Sequence, residues 1–349
     1  MPDNIHYSDY LQTDKILNAQ SPESDKLNLP AHDEMLFIII HQTYELWFKQ
    51  LLYEVNSVND IMLKPALNDN SPELQTVVHR LARCVTILKV LVQQIDIMET
   101  MTPMDFLDFR DMLRPASGFQ SVQFKMLEAR LGLRFEDRYG QDYYISQLRN
   151  SEREEVKKAE EQVSLLQLVN NWLERMPFFD EAAIWKNFAP GLIYTADAQP
   201  QMHIYWQAYR ESYKNSLASR EMANLELFDT IFFKDDNTKQ LSAQACRAAL
   251  FIMLYRGYPV LQLPFQLLNN LLETDEQLST WRYRHMGMVH RMIGMRIGTG
   301  GSTGRDYLAA ALSRHYIFKE LAGLTSFLIE RRRLPQLPAE MEQRLGFVH

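Results

Sequence analysis

Apolar residues recur at spacings of three, four and seven along most of this chain, the periodicity of amphipathic α-helices. The longest such segment runs from about His32 to Met62 and carries an aromatic stripe beside a mainly aliphatic one. The stripes consist of Phe37, His41, Tyr44 and Phe48, and of Leu36, Ile40, Trp47, Leu51, Val55, Val58 and Met62. A helix that is apolar over so wide an arc is buried on two sides. We therefore expect it in the middle of a helical bundle.

Helical periodicity also predicts most of the remaining chain. The further segments are 71–101, 106–132 with a Pro/Gly turn inside it, 151–176, 203–233, 241–254, 264–297 with an interruption near 274–275, and 307–329. Residues 186–200 are predicted to be a loop and residues 331–349 a proline-containing tail. No segment alternates as a β-strand does, so the predicted fold class is all-α, a bundle with long central helices.

The domain organisation follows from the same pattern. Residues 1–30 form a polar arm with one apolar patch that contains Tyr7, Tyr10 and Leu11. Exposed aromatic residues on a terminal arm usually dock, either on their own core or on a neighbouring subunit. Residues 31–349 are predicted to be a single domain in which 151–235 is a helical insertion.

Composition narrows the class of protein. With 349 residues and 46% hydrophobic content the chain is ordinary for a globular protein, and a net charge of −7 argues against a nucleic-acid-binding face. The start is polar up to Pro30, so no signal peptide is expected, and no apolar run approaches the roughly 20 residues that span a bilayer. Cys84 and Cys246 form neither a CxxC pair nor a disulfide framework. The sequence therefore predicts a soluble cytoplasmic protein.

A glycine cluster follows the last long apolar segment. Four of the 13 glycines lie within residues 298–304. The GxGxxG motif is missed because Thr303 occupies the last glycine position, and GxxxxGK[ST] is absent. The cluster also follows a helix C-terminus, whose partial negative charge repels phosphate. A nucleotide site is therefore excluded.

The positions of the histidines are compatible with one kind of metal site. His285 and His290 are five residues apart and point to different faces of a helix, and HExxH is absent. A single helical histidine can nevertheless hold haem. Met288 and Met292 beside His285 suit such a ligand, and the absence of CxxCH means that a haem would be non-covalent.

Two further residues admit two interpretations each. His41 lies in the aromatic stripe, where a hydrogen-bonded core histidine is the simpler interpretation and a functional histidine the alternative. Arg110 lies among Phe106, Phe109 and Leu113, and is costly to bury without an anionic partner. It either forms an internal salt bridge or clamps a substrate carboxylate in a bidentate manner.

Four collinear blocks of the chain resemble the tryptophan 2,3-dioxygenase family. They are the Tyr7-x-x-Tyr10-Leu11 motif before Asp14, His32 to Lys49, Phe109 to Ser121, and Arg284 to Gly304. The region 151–235 is similar to the longer, animal-type members. Phe106 stands where some members carry tyrosine, and Thr303 and Arg305 also depart from the family pattern.

The resemblance implies haem b, one per subunit, with His285 as the proximal ligand of the iron. It implies that L-tryptophan and O₂ react to give N-formyl-L-kynurenine, the first step of the kynurenine pathway. His41 would hydrogen-bond the indole nitrogen, Arg110 would clamp the substrate carboxylate, and Thr299 would contact the ammonium and carboxylate groups. Base catalysis by His41 is not required.

The resemblance also implies the pocket lining and the assembly. Phe37, Phe106, Leu113 and Ser117 would line the substrate pocket. Tyr7, Tyr10 and Leu11 would enter the pocket of a neighbouring subunit, which implies a homotetramer. The alternatives are an oxygenase on the same haem scaffold that takes another aromatic substrate or inserts one oxygen atom, and a non-catalytic haem sensor. Neither a nucleic acid nor a membrane is expected as a partner.

Overall fold

Helices make up all the regular secondary structure in the parts of the chain that the structure describes. This computed structural model describes residues 4–65, 67, 71–138, 145–186, 188, 202–234, 238–294, 296, 308–309, 312 and 314–346. The α-helices are α1 Tyr7–Leu11, α2 Thr13–Leu17, α3 Glu23–Lys26, α4 His32–Met62, α5 Pro72–Met98, α6 Pro103–Arg110, α7 Val122–Leu131, α8 Asn150–Glu161, α9 Leu165–Glu174, α10 Ala182–Trp185, α11 Ile204–Lys214, α12 Ala223–Phe233, α13 Ala243–Leu254, α14 Gln262–Ile293, α15 Lys319–Gly323 and α16 Ala339–Leu345. The predicted all-α class is confirmed.

Short 3-10 helices connect several of these elements. They are Asp111–Leu113, Gly118–Gln120, Phe135–Asp137, Ser219–Glu221, Pro259–Leu261, Leu324–Phe327 and Arg331–Arg333. None of the helices in the described ranges is both long enough and apolar enough to cross a membrane.

The three longest helices form the centre of the bundle. Helix α5 packs against both α4 and α14, and α4 also packs against α7. The start of α5 is fixed by Ser71, whose Oγ accepts a hydrogen bond from the Leu74 amide at 3.1 Å, and by Pro72 in the first turn. Fully buried side chains such as Val58, Leu74 and Leu271 fill the space between these helices. The segment His32 to Met62 was predicted to lie in the middle of a bundle, and this prediction is confirmed.

Helix α14 runs without a break through Thr274 and Asp275, so the predicted interruption is wrong. Thr274 Oγ1 donates back to the Asn270 carbonyl at 2.8 Å, which leaves the helical backbone intact. The Asp275 carboxylate instead turns to another segment, where it accepts the amides of Ile317 at 3.1 Å and Phe318 at 2.5 Å. Burial raises the pKa of Asp275 to about 6, although these two hydrogen bonds favour the charged form.

The same contact explains why the helix predicted over 307–329 is not continuous. Residues 308, 309, 312 and 314 are helical, residues 315–318 are not, and helix α15 begins after them and gives way to the 3-10 helix Leu324–Phe327. The amides of Ile317 and Phe318 bond to the Asp275 side chain of another helix rather than to carbonyls one turn earlier. The spacing of apolar residues along the chain does not show that a distant carboxylate competes for these amides.

Three other predicted boundaries also change. The segment 151–176 divides at Ser164, which caps α9 by accepting the Gln167 amide, and 203–233 divides into α11 and α12. The predicted tail 331–349 contains α16, whose Met341 and Leu345 are buried. Nearly all of the predicted loop 186–200 lies outside the described residues.

The N-terminal arm lies along the first half of α4. The Glu34 carboxylate, 1% exposed, accepts the amides of Glu23 at 2.8 Å and Ser24 at 2.9 Å. Gln42 donates to the Ala19 carbonyl at 3.0 Å. The arm is thus attached to α4 at residues 19–24, whereas the earlier residues carry exposed apolar side chains. These are Ile5, Tyr7, Tyr10, Leu11, Ile16 and Leu17.

Candidate active site

A small apolar cluster, which we call the pocket cluster, lies apart from the main core. It joins α4, the C-terminal end of α5, α6 with the 3-10 turn after it, and the end of α14. Its buried members are Ile40, Met98, Met101, Phe109 and Met292. Its partly buried members are Ala31, Leu36, Phe37, Tyr44, Phe106, Met112, Leu113, Met288 and Ile293. The cluster therefore brings together three residues predicted to line a substrate pocket, Phe37, Phe106 and Leu113.

Aromatic rings give this cluster its shape. The Phe37 ring lies 5.6 Å from Phe106 and 5.5 Å from Phe109, and the last two pack edge-to-face at 5.4 Å. The Phe37 ring is also 4.1 Å from that of His41, one turn along α4. The aromatic stripe of α4 thus places a histidine at the edge of an aromatic wall.

His41 is neutral and has a defined tautomer. Its Nδ1 lies 2.7 Å from the Phe37 carbonyl oxygen, which can only accept, so Nδ1 carries the proton and Nε2 remains an acceptor. Burial among protein atoms lowers the pKa of His41, against the raising effects of this hydrogen bond and of Glu45. The side chain nevertheless has an exposed surface. A side chain that is surrounded by protein atoms and still has an accessible surface faces into a pocket.

His285 is the second neutral histidine of the site. Burial, and to a smaller extent the charge that His41 would carry if protonated, lowers the pKa of His285 to about 4, although the two residues are 244 positions apart. Its Nδ1 is buried and has no hydrogen-bond partner among the residues that the structure describes. A neutral imidazole is the form that binds a metal.

Arg110 stands at the end of α6, beside the pocket cluster. Helix α6 begins with a capping box in which Thr102 accepts the Asp105 amide at 3.3 Å, and Asp105 accepts the Thr102 amide at 2.9 Å. The helix ends at Arg110, which is 4% exposed, between the buried Phe109 and the turn that bears Leu113. Burial of a guanidinium beside an apolar pocket is costly. The two interpretations of Arg110, salt bridge and substrate clamp, both remain compatible with this position.

Ser117 has a local structural role that the prediction did not include. Its Oγ accepts the Phe119 amide at 3.4 Å, and its own amide donates to Gln120 Oε1 at 3.1 Å, which caps the 3-10 helix Gly118–Gln120. The side chain is half-buried. Its role in lining a pocket stays a prediction.

Several other predicted residues are not brought into the cluster. Tyr7 and Tyr10 are 73% and 74% exposed, and Leu11 is 39% exposed, all on helix α1 of the arm. His290 is exposed in the last turn of α14. Thr299 and the whole glycine segment 298–304 lie outside the described residues.

Trp281 is a neighbour of the site that the sequence-based prediction omits. Its indole is stacked on the His285 imidazole, with ring centroids 5.1 Å apart and planes 13° from parallel. The spacing of four residues on a predicted helix is the signal that could have indicated this contact.

Comparison with known proteins agrees with this arrangement. The family model for tryptophan 2,3-dioxygenase matches residues 3–328. A tryptophan 2,3-dioxygenase of Bdellovibrio bacteriovorus is 43% identical over 361 residues, covering 98% of this chain and 98% of the relative. The Dictyostelium discoideum enzyme is 41% identical over 98% of this chain and 88% of its own length. The Rattus norvegicus enzyme is 40% identical over 95% of this chain and 84% of its own length.

The matched region contains every element that contributes to the pocket cluster, from α4 through the end of α14. Identity of this level over nearly the full length of both chains goes beyond a shared fold. The two neutral histidines and the buried arginine thus stand in a chain that belongs to the tryptophan 2,3-dioxygenase family.

Proposed function

We propose that this protein cleaves the C2–C3 bond of the indole of L-tryptophan with O₂ to give N-formyl-L-kynurenine, the first step of the kynurenine pathway. Family membership supports the reaction. The observation that carries the proposal is the pocket cluster itself, which has the His41 ring 4.1 Å from that of its member Phe37 and the buried Arg110 directly after its member Phe109.

The described residues fit haem b, one per subunit, bound without a covalent link. A porphyrin needs apolar walls and an axial ligand. The pocket cluster supplies aromatic and methionine side chains, and His285 supplies a neutral imidazole whose Nδ1 is already withdrawn into the protein. Bound haem would supply the O₂ chemistry, while the protein contributes orientation and electrostatics.

His41 is assigned to the substrate. Because its Nδ1–H is held by the Phe37 carbonyl, Nε2 can accept the hydrogen bond of an indole N–H. Its lowered pKa keeps the imidazole in that accepting form at neutral pH. Nothing in this role requires His41 to remove a proton.

Arg110 and Thr299 are assigned to the amino-acid end of the substrate. A guanidinium binds a carboxylate through two parallel charge-assisted hydrogen bonds, each worth about 1.5–3 kcal/mol. Phe37, Phe106, Leu113 and Ser117 are assigned to the lining. Since Phe106 has no hydroxyl, its edge of the pocket offers the substrate an apolar contact only.

We further propose a homotetramer in which Tyr7, Tyr10 and Leu11 enter a neighbouring subunit's pocket. The support is exposed apolar surface on the arm and a stripe on one face of α4, at intervals of four and seven residues. The stripe consists of Met35, Ile39, Leu46 and Tyr53, each 40–73% exposed.

The domain organisation that we propose is an arm, residues 1–30, and one catalytic domain, residues 31–349, which includes a helical insertion at 151–235.

A cytoplasmic location is proposed on the basis of the cysteines. Cys84 and Cys246 are both buried and neither takes part in a disulfide bond within the part of the chain that the structure describes. Cysteines kept as thiols suit a reducing compartment.

One assay tests the reaction directly. The haem-loaded protein is reduced anaerobically, and L-tryptophan and O₂ are added. A product with the absorbance of N-formylkynurenine and a mass gain of two oxygen atoms is expected. A gain of one oxygen atom would support the alternative oxygenase, and no product together with six-coordinate bis-histidine iron would support a sensor.

The cofactor assignment has its own prediction. His285→Ala should purify without a Soret band, because the proposed axial ligand is removed, whereas His290→Ala, changed on the exposed last turn of the same helix, should retain it. The measurement is the ratio of Soret to protein absorbance after haem reconstitution. A full Soret band in His285→Ala would refute the assignment.

A further inference from the structure

We propose that Trp281 is a positioning residue that fixes the ring plane of His285. This inference rests on the proposed function, because it concerns His285 as the haem ligand. The two residues are one helical turn apart on α14, and their rings are stacked at 5.1 Å with an interplanar angle of 13°. Trp281 therefore limits the rotation of the imidazole about its side-chain bonds.

A hydrogen bond does not perform this task within the described part of the chain. A metal-binding histidine is usually oriented by a hydrogen bond from its second ring nitrogen to a carboxylate, a carbonyl or water. The Nδ1 of His285 is buried, and the structure gives it no such partner among the residues it describes. Among the described residues, packing against the flat face of the Trp281 indole is the contact that favours one ring orientation.

Trp281 is itself held by aromatic rings from two other helices. Its centroid lies 6.0 Å from that of Tyr44 and 6.3 Å from that of Phe48 on α4, and 5.1 Å from that of Phe124 on α7. The Tyr44 hydroxyl donates to the Leu91 carbonyl of α5 at 2.9 Å. The indole plane is thus fixed relative to the bundle, so it can act as a rigid support.

The residue that follows Trp281 anchors the same turn of α14. Arg282, 3% exposed, donates to Glu128 of α7 at 2.7 Å and to the His315 carbonyl at 3.0 Å. The backbone that carries Trp281 and His285 is therefore held in register, and the remaining freedom of His285 lies in its side-chain angles. Those are the angles that the stacked indole restricts.

Trp281→Met tests this role, because methionine fills apolar volume without an aromatic face. The ferric holoprotein is mixed with excess apomyoglobin, and the rate of haem transfer is measured. We expect transfer to be about tenfold faster, corresponding to about 1.4 kcal/mol, near the upper end for an aromatic pair. The iron–histidine stretching band in the resonance Raman spectrum of the ferrous protein should broaden or shift. Trp281→Phe keeps a ring and should keep the band position, with transfer only about twofold to threefold faster.

The matched control is the same substitution in another buried tryptophan. Trp172 on α9 is 1% exposed, and Trp172→Met should leave the transfer rate and the band at wild-type values. Equal effects at Trp172 and Trp281 would show general loosening and overturn the proposal, as would a wild-type rate and band in Trp281→Met. If Trp281→Met does not fold, the transfer rate of Trp281→Phe decides, and a wild-type value overturns the proposal.

Different results would refute the proposed function and the role of Trp281. A wild-type protein that binds no haem or forms no N-formylkynurenine refutes the function. A wild-type protein that does both, with Trp281→Met unchanged, refutes only the role of Trp281.

Discussion

At the scale of single residues, the site depends on charges and protons held in unusual states by burial. His41 and His285 are neutral because ionisation would leave a charge in poorly solvated surroundings. Arg110 is placed beside apolar rings, where its charge is expensive unless an anion meets it. A pocket of this kind offers a guanidinium to a carboxylate and an imidazole acceptor to an N–H donor. L-tryptophan has both.

Arg110→Lys should retain haem but weaken L-tryptophan binding, because a lysine cannot form the bidentate pair with a carboxylate. Loss of one charge-assisted hydrogen bond, about 1.5–3 kcal/mol, predicts a KM raised by roughly tenfold to a hundredfold. Steady-state kinetics measure this, with the Soret band as the check on folding. Indole compounds that lack a carboxylate should bind equally to both proteins, and an unchanged KM for L-tryptophan would leave Arg110 as a structural residue.

A second residue-scale prediction concerns Glu128, the centre of a buried ionic network. Its carboxylate oxygens lie 2.6 Å from Arg138 and 2.7 Å from Arg282, and the three side chains are at most 5% exposed. Burial alone would raise the pKa of Glu128, but Arg138, His315 and Arg282 together hold it well below the usual range. The charge on Glu128 therefore stabilises the fold above the unfolded pKa, and this stability is lost as the pH falls through the folded pKa.

Glu128→Gln should lower the free energy of unfolding at pH 7 by about 3–5 kcal/mol, because two buried guanidinium groups lose their counterion. The difference from wild type should narrow as the pH falls below about 4, because the Glu128 carboxyl then protonates in the unfolded chain while it remains ionised in the folded one. Urea unfolding between pH 7 and pH 3.5 measures both effects. The control is Glu330→Gln, which removes an exposed partner of Arg332 and should change little. A pH-independent difference would contradict the assignment.

At the scale of elements, helix α14 connects an aromatic group, a buried ionic network and the site. One turn of this helix holds Trp281 against an aromatic group, Arg282 in the ionic network and His285 in the pocket. Trp281 and His285 share one face of the helix, and Arg282 lies on another. A change in the register of α14 would disturb packing, charge pairing and the site together, which fixes the histidine more firmly than any one contact.

A prediction at the scale of elements concerns Glu34 of helix α4. Its carboxylate caps α3, and α3 contacts the turn Asp111–Leu113 at the edge of the pocket cluster. Glu34→Gln removes one charge-assisted hydrogen bond, so we expect amide hydrogen exchange in residues 19–31 to become about tenfold faster or more. Mass spectrometry of exchanged peptides measures this. Asp33→Asn, a charge change in the same turn, is the matched control, and equal exchange in both variants would refute the capping role.

At the scale of the whole molecule, exposed apolar surface is concentrated on the arm and on one face of α4. The arm is tied down at residues 19–24, while Tyr7 and Tyr10 project beyond that point. An apolar segment attached at its base and exposed at its tip is suited to reach a second subunit. The proposed tetramer thus has a physical basis in the surface of one subunit.

Mixing two inactive variants tests whether the arm acts between subunits. One variant lacks residues 1–18, upstream of the arm's attachment to α4, and the other carries Arg110→Ala. If Tyr7, Tyr10 and Leu11 complete a neighbour's pocket, mixed assemblies contain pockets with an intact Arg110 and an intact arm. Activity above the sum of the separate proteins is then expected after co-refolding. Activity no greater than that sum would place the arm's role within its own subunit.

The sequence by itself determined the fold class, the central helix His32–Met62 and the family to which the chain belongs. Periodicity and caps act over one or two turns, so they can be seen in a linear pattern, as at Ser71 and Pro72. Candidate residues of the pocket were also visible, because resemblance to a family identifies positions without geometry. Phe37, Phe106 and Leu113 indeed share one cluster.

Only the tertiary structure decided features that depend on partners distant in the chain. The Asp275 carboxylate accepts the amides of Ile317 and Phe318 and so interrupts the helix predicted over 307–329. His285 packs on Trp281 without a hydrogen bond at Nδ1 within the described residues. Each of these outcomes is a competition between a local preference and a buried contact. Such competition is settled by burial, because an unsatisfied polar group away from water costs more than one turn of helix gains.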